Sequence, residues 1–145
     1  MKKKTIFNCF LALIPVAAFF MATTGDSVAV YDIAAQEVYK LSYFAPVVGA
    51  SYAFLTPLAG WLTVVTAVLA LVMILGKKAG CLPWLKWLSL VAACVAVAPM
   101  LLQGNMRVVP NFFLPLLMMV EYLLCMFAGK ADRVAPEKTE GRRLN

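Results

Sequence analysis

With 145 residues, 63% of them hydrophobic and only 14% charged, this chain cannot dress a water-soluble surface in the ordinary way, since soluble domains keep about a quarter of their residues charged. The net charge of +6 lies in short clusters beside apolar runs, a distribution that suits topology determinants and anionic headgroups and argues against nucleic acid as a partner. The absence of histidine removes the commonest general base, the Ser-His-Asp and Cys-His triads and the usual zinc motifs, so no enzyme chemistry, metal or cofactor is expected.

The chain opens with Met1-Lys-Lys-Lys-Thr5 and an apolar stretch from Ile6 to Ala22. This has the form of a secretory signal, but the small-residue cleavage pattern is poor and the run exceeds the usual apolar core of a signal. An uncleaved first span over about 6–22, kinked at Pro15, is the expectation. The outer loop, 23–57, then admits two readings. Ser27 to Asp32 alternates at period two and Val38 to Phe44 is rich in aromatic and β-favouring residues, which predicts a β-hairpin. Asp32, Gln36 and Lys40 also recur every four residues opposite Val30, Ala34, Val38 and Leu41, as in an amphipathic helix lying on a surface.

Three further apolar runs follow, over about 58–75, 82–102 and 108–128. Each is close to the roughly 20 residues that cross about 30 Å of hydrocarbon. Their length and uniform apolarity predict helices rather than barrel strands. The expected fold is therefore an all-α membrane protein: a four-transmembrane-helix antiparallel bundle with a small extracytoplasmic cap, a β-hairpin in one reading, between the first two helices. Residues 1–130 would form this domain, and 131–145 a disordered cytoplasmic tail. Lys2, Lys3, Lys4, Lys77, Lys78, Lys86, Lys130, Arg133, Lys138, Arg142 and Arg143 fall on one side of the spans, against Lys40 and Arg107 on the other. The positive-inside rule then puts both termini in the cytoplasm of a plasma-membrane protein.

Glu121 is the acidic residue inside an apolar run, a costly position unless the carboxyl is protonated, paired or wet. Its alternatives are a structural ion pair with Lys86, about two turns away in height if the last two helices form a hairpin, a protonated hydrogen-bonded acid, a transport or ligand site for a proton or cation, or a contact with another subunit. Small residues recur as Ala59, Thr63 and Ala67 in the second run and as Ser89, Ala92, Ala93 and Ala96 in the third, which predicts close helix packing. Thr63 and Thr66 are expected to bond back to their own helix. Cys9, Cys81, Cys94 and Cys125 form no CxxC pair and are read as small buried hydrophobes. Pro99, Pro110 and Pro115, with Gln103, Asn105, Arg107 and Asn111, suggest loop and kink geometry. Trp61, Trp84 and Trp87 sit at span boundaries, as interfacial anchors do. Tyr31, Tyr39, Tyr43 and Phe44 concentrate aromatic surface in the outer loop and are candidate partner contacts.

Tyr39-Lys-Leu-Ser-Tyr-Phe44, Thr56-Pro-Leu-Ala-Gly60 and Leu102-Gln-Gly104 resemble a group of uncharacterised small four-span bacterial membrane proteins, a resemblance that implies topology and no activity. The layout of a long first and short second outer loop is similar to claudin-like tetraspans. The outer-loop cysteine pair and the Trp/Gly-Leu-Trp pattern of that group are absent, so only the topology carries over. The expected function is that of a small non-catalytic integral membrane protein, an accessory subunit or envelope scaffold that contacts the lipid bilayer and a membrane-protein partner or homo-oligomer. The alternative is an oligomeric ion-coupled or small-solute transport component using Glu121.

Overall fold

The computed structural model describes residues 2–45, 52, 54–76, 79–102 and 106–134. Four helices, α1 (Lys2–Thr23), α2 (Leu55–Leu75), α3 (Leu82–Leu101) and α4 (Phe113–Val134), are joined by a small sheet of three strands, β1 (Val28–Asp32), β2 (Glu37–Leu41) and β3 (Met106–Pro110). By length and composition three of the helices could cross a membrane, and α4 holds a shorter apolar portion, Phe113–Gly129.

The helices form a closed ring in which α1 meets α2, α2 meets α3, α3 meets α4 and α4 meets α1, with no diagonal contact among the described residues. Two buried clusters show that neighbours run antiparallel. One gathers Ala18 and Ala22 from the end of α1, Ala59 from the start of α2, Ala96 from the end of α3, Leu114 from the start of α4, and Val28, Val30, Tyr43 and Val108 from the cap. The other joins Leu11, Ala70, Leu85 and Cys125 toward the opposite end. The faces that α2 and α3 turn inward are built mainly from small and hydroxyl-bearing side chains, with Leu11, Leu85, Leu114 and Met118 as the larger buried aliphatic groups. Ala59, Gly60, Thr63, Thr66, Ala67 and Ala70 of α2 face in, as do Ser89, Ala92, Ala93 and Ala96 of α3. Large apolar groups such as Phe20, Trp61, Leu75, Trp84, Leu101 and Phe127 stay outside. This inverts the arrangement of a soluble bundle and lets the backbones approach closely. The sequence stripes are thus intramolecular packing surfaces. Cys125 is buried as expected, whereas Cys9 and Cys94 lie on the exposed outer surface, among the large apolar side chains.

The cap is a sheet of order β2-β1-β3, both pairings antiparallel. The hairpin reading of the outer loop therefore holds, and the surface-helix alternative does not. The turn forms because the Asp32 Oδ1 accepts the N–H groups of Ala34 (2.9 Å) and Ala35 (3.1 Å), an Asx turn that spares the backbone a helical partner. Gln36 then takes a left-handed conformation, φ 55°, to feed β2.

Helix α1 starts four residues and α2 three residues before the expected spans, and both ends of the fourth span differ from the sequence expectation. Val108–Pro110, read as the start of the fourth span, belong to β3, where Val108 stands opposite Val30 and Arg107 opposite Tyr31. Alternating β-branched residues pair well on a pleated surface, and Pro110 tolerates an edge position because no donor is needed there. The N–H of Phe113 then bonds the Asn111 Oδ1 at 3.0 Å, marking the start of α4. At its other end α4 runs to Val134, four residues into the segment read as a tail, whose remainder lies outside the described residues. Gln103, Asn105, Lys77 and Lys78 lie outside them too.

The end of α1 is tied off by hydroxyls. Thr23 and Thr24 Oγ1 donate to the carbonyls of Phe20 and Met21, each at 2.7 Å. Ser27 Oγ also reaches the Met21 carbonyl and that of Thr24 (2.8 Å). Terminal helix carbonyls that lack intrahelical donors are satisfied in this way, and the chain turns straight into β1.

Candidate functional site

Two places collect chemistry, one inside the bundle and one on the cap. Inside, α4 carries Glu121 to a position with 0% exposure. Glu121 lies eight residues past the first residue of α4, Thr63 eight past that of α2, and Pro15 eight before the end of α1. At about 1.5 Å rise per residue, all three sit about 12 Å in from the cap end. Ser89 is roughly one turn deeper on α3. This layer falls between the two apolar clusters and belongs to neither.

Its hydrogen bonds are asymmetric. Thr63 Oγ1 donates to the Gly60 carbonyl at 2.6 Å, Thr66 Oγ1 to Leu62 at 2.7 Å and Ser89 Oγ to Leu85 at 2.8 Å. The back-bonding expected for the two threonines is present, and it spends each hydroxyl's proton on its own helix. On Glu121, the Cys125 thiol one turn along donates to Oε1 across 3.9 Å, a weak bond, and Oε2 has no hydrogen-bond partner among the described residues. The expected ion pair with Lys86 is not formed. Lys86 Nζ instead sits 5.5 Å from the Trp87 ring centroid and 5.6 Å from that of Tyr122, within cation–π range of both. Its long stem reaches the aromatic rim of the α3–α4 seam rather than the interior, because the rings offer charge stabilisation at the bundle edge without desolvating the ammonium. Among the described residues the ion pair within 4.0 Å is Asp26–Lys40, at 3.8 Å on the exposed cap, where screening leaves it little weight.

On the cap, alternation sorts the strands into two faces. Val28, Val30 and Val108 point onto the helices and are buried. The opposite face aligns Val38, Tyr31 and Arg107 as a cross-strand row, with Lys40, Ala29 and Val109 beside it. Tyr31 is 43% exposed and Val38 54%, and β2 is exposed along nearly its whole length. Tyr39, 46% exposed, shares the inward face but overhangs the bundle, where its hydroxyl donates to the Glu37 Oε2. That hydrogen bond and the nearby carboxylate charge hold its phenol above the ordinary value.

The aromatic candidates therefore divide. Tyr31 stands on the outward face, and Tyr39, though on the inward face, is left exposed at the margin of the cap. Tyr43 is 0% exposed, and its hydroxyl donates to the Asn111 carbonyl at 3.2 Å, so it is a keystone of the cap and not a partner contact. Burial pushes its phenol above the ordinary tyrosine value. Phe44 is half-buried and meets Trp61 edge-on at 5.8 Å and Phe19 at 6.3 Å, so it too is spent on packing. Arg107, read from the sequence as a polar residue of the third loop, is carried instead by β3 beside Tyr31.

Comparison of the chain with protein-family models, with curated proteins and with solved structures finds no match.

Proposed function

We propose that the chain is a small, non-catalytic, multi-pass plasma-membrane protein with both termini cytoplasmic, acting as an accessory subunit or envelope scaffold through contacts made by its sheet cap. The inverted bundle supports a lipid surrounding: small residues inside and large apolar groups outside are what helices need where no hydrophobic effect drives them together. The basic segments at one end support the orientation. The observation that carries the partner role is the Val38–Tyr31–Arg107 row, an apolar, aromatic and cationic surface on a sheet whose core is already packed beneath it. Tyrosine and arginine are enriched where partners bind, and an edge strand such as β2 offers backbone groups for pairing.

The test is purification in mild detergent of the wild type and of Tyr31→Ala and Val38→Asp variants, followed by identification of co-purifying chains. Loss of a stoichiometric partner with the bundle still folded is the expected result. A wild type that runs as a lone homogeneous monomer defeats the reading.

A second reading, an oligomeric ion-coupled or small-solute transport component, is favoured by one observation: the buried Glu121 carboxyl with its unpartnered Oε2. Glu121→Gln that folds and assembles but loses flux in reconstituted vesicles would select it.

A further inference from the structure

The layer around Glu121 has more acceptors than donors. The hydroxyls of Thr63, Thr66 and Ser89 donate to carbonyls one turn back on their own helices, so what these buried groups have left to offer is oxygen lone pairs. Pro15, buried at the same depth on α1, has no N–H, which leaves the Leu11 carbonyl without its usual helical donor. Into this setting α4 places a carboxyl group with an unpartnered oxygen at 0% exposure. An anionic oxygen among acceptors is satisfied by a positive ligand and by little else. A buried lysine would serve, but the near one, Lys86, is engaged with Trp87 and Tyr122 at the seam.

We infer that Glu121 is the anionic member of a binding site inside the bundle for a small monovalent cation, the proton included, with the hydroxyl oxygens of Ser89 on the neighbouring α3 and of Thr63 on α2, across the bundle axis, as neutral partners. As a proton site, the carboxyl donates to one of those lone pairs. As a metal-ion site, oxygens from several helices replace part of the hydration shell, as hard monovalent cations require. The site goes beyond the scaffold reading and holds whether or not the ion crosses the membrane. A failed flux assay would remove the transport reading and leave this one standing.

The groups that could confuse a pH response are few. Tyr122 and Cys125 share α4 with Glu121, and Lys86 of α3 lies over Tyr122 at the α3–α4 seam. From α1 the titratable group among the described side chains is Cys9, which is exposed, and α2 brings hydroxyls only.

The experiment uses the full chain in detergent or nanodiscs. Thermal unfolding of the wild type and Glu121→Gln is followed with NaCl replaced by N-methylglucamine chloride at constant ionic strength, and across about pH 5.5 to 8.5. The wild type is expected to gain about 3 °C or more in Tm from Na+, or from lower pH, while the variant stays flat. A Na+ response identifies a metal-ion site, and a pH response without one identifies a proton site. Identical dependences in the two proteins overturn the inference. If Glu121→Gln does not fold, the wild type is treated with dicyclohexylcarbodiimide, which adds to a protonated buried carboxyl with no leaving group. Adduct at Glu121 that falls with added Na+ or with rising pH supports the site, and Ser89→Ala should shift that midpoint by about tenfold in Na+ or about one pH unit. No adduct, or one indifferent to both, overturns it.

Discussion

Tyr43 is where the cap is keyed into the bundle, and two substitutions separate how. Its ring is fully buried in a cluster that includes alanines of three helices, its N–H bonds the Ala22 carbonyl at 3.1 Å, and its hydroxyl bonds the Asn111 carbonyl at 3.2 Å. Tyr43→Phe keeps the ring and the backbone bond. It removes one neutral hydrogen bond that is long for an O–H donor, so the cost belongs at the low end of about 0.5–1.5 kcal/mol. Tyr43→Ala also empties the ring's place among small residues that cannot swell to fill it, a loss of about 3–5 kcal/mol. The difference, roughly 2.5–4.5 kcal/mol, is the packing contribution of the ring. Unfolding in mixed micelles with a denaturing detergent measures both. Equal costs for the two variants would refute the keystone role, since the ring would then be packing against nothing that matters.

The same residue fixes a pH limb. Burial raises the Tyr43 phenol above its ordinary value of 10.0, so the folded state keeps a proton that the unfolded state releases. Stability is complete below that value and falls as pH climbs past it. Tyr43→Phe should lack this contribution and lose less stability in alkali than the wild type, which unfolding curves on either side of the limb would show.

Gly60 lies under the Phe44 ring, where an added Cβ would come within 3.1 Å of a ring carbon. Gly60→Ala should therefore tilt Phe44, alter the emission of neighbouring Trp61 and cost about 1 kcal/mol, with Gly60→Val costing about 1–3 kcal/mol. Gln36 holds φ 55° at the hairpin turn, a conformation that charges an L residue about 1–2 kcal/mol, so Gln36→Gly should stabilise the cap by about 0.5–1 kcal/mol and slow proteolysis within it. Lys86→Met keeps the apolar stem but gives up two ring contacts, for an expected loss of about 0.5–1 kcal/mol in unfolding, whereas Lys86→Arg should lose less.

Most of the architecture was legible because apolar runs of helical length constrain a chain strongly. The stripes Ala59–Thr63–Ala67 and Ser89–Ala92–Ala96 told the inward faces correctly, since small residues have few other uses on such helices. The hairpin was legible from period-two alternation, and Asp32 is the residue that stops the competing helix by binding the N–H groups of Ala34 and Ala35. What escaped was long-range. Nothing local in Met106–Pro110 says that it will pair with β1, more than seventy residues earlier, so Val108–Pro110 were absorbed into the adjacent apolar run and Arg107 was left in the loop before it. Tyr43 and Tyr39 look alike in sequence, yet the register puts one in the core and leaves the other overhanging. The Lys86–Glu121 pair was a matter of height along the helices, which is right. Azimuth decides contact, and Lys86 points to the seam.

The sheet also explains how a ring of four helices is closed. Chain connections join α1 to α2, α2 to α3 and α3 to α4, which leaves the α1–α4 seam without one. The β1–β3 ladder supplies it, because β1 follows α1 and β3 precedes α4. The Asn111 N–H bonds the Ser27 carbonyl at 2.7 Å, and Tyr43 locks the Asn111 carbonyl from the α2 side. Toward the opposite end the seam is held by the thinner cluster of Leu11, Ala70, Leu85 and Cys125. Opening should therefore begin at that end. Hydrogen exchange in detergent is expected to be faster for amides of α1 before Leu11 than for Ala18–Ala22, and disrupting the ladder with Val30→Pro should erase the contrast by freeing the capped end. Uniform protection along α1 in the wild type would mean that the seam is held by lateral helix packing, with the sheet a passenger on the bundle.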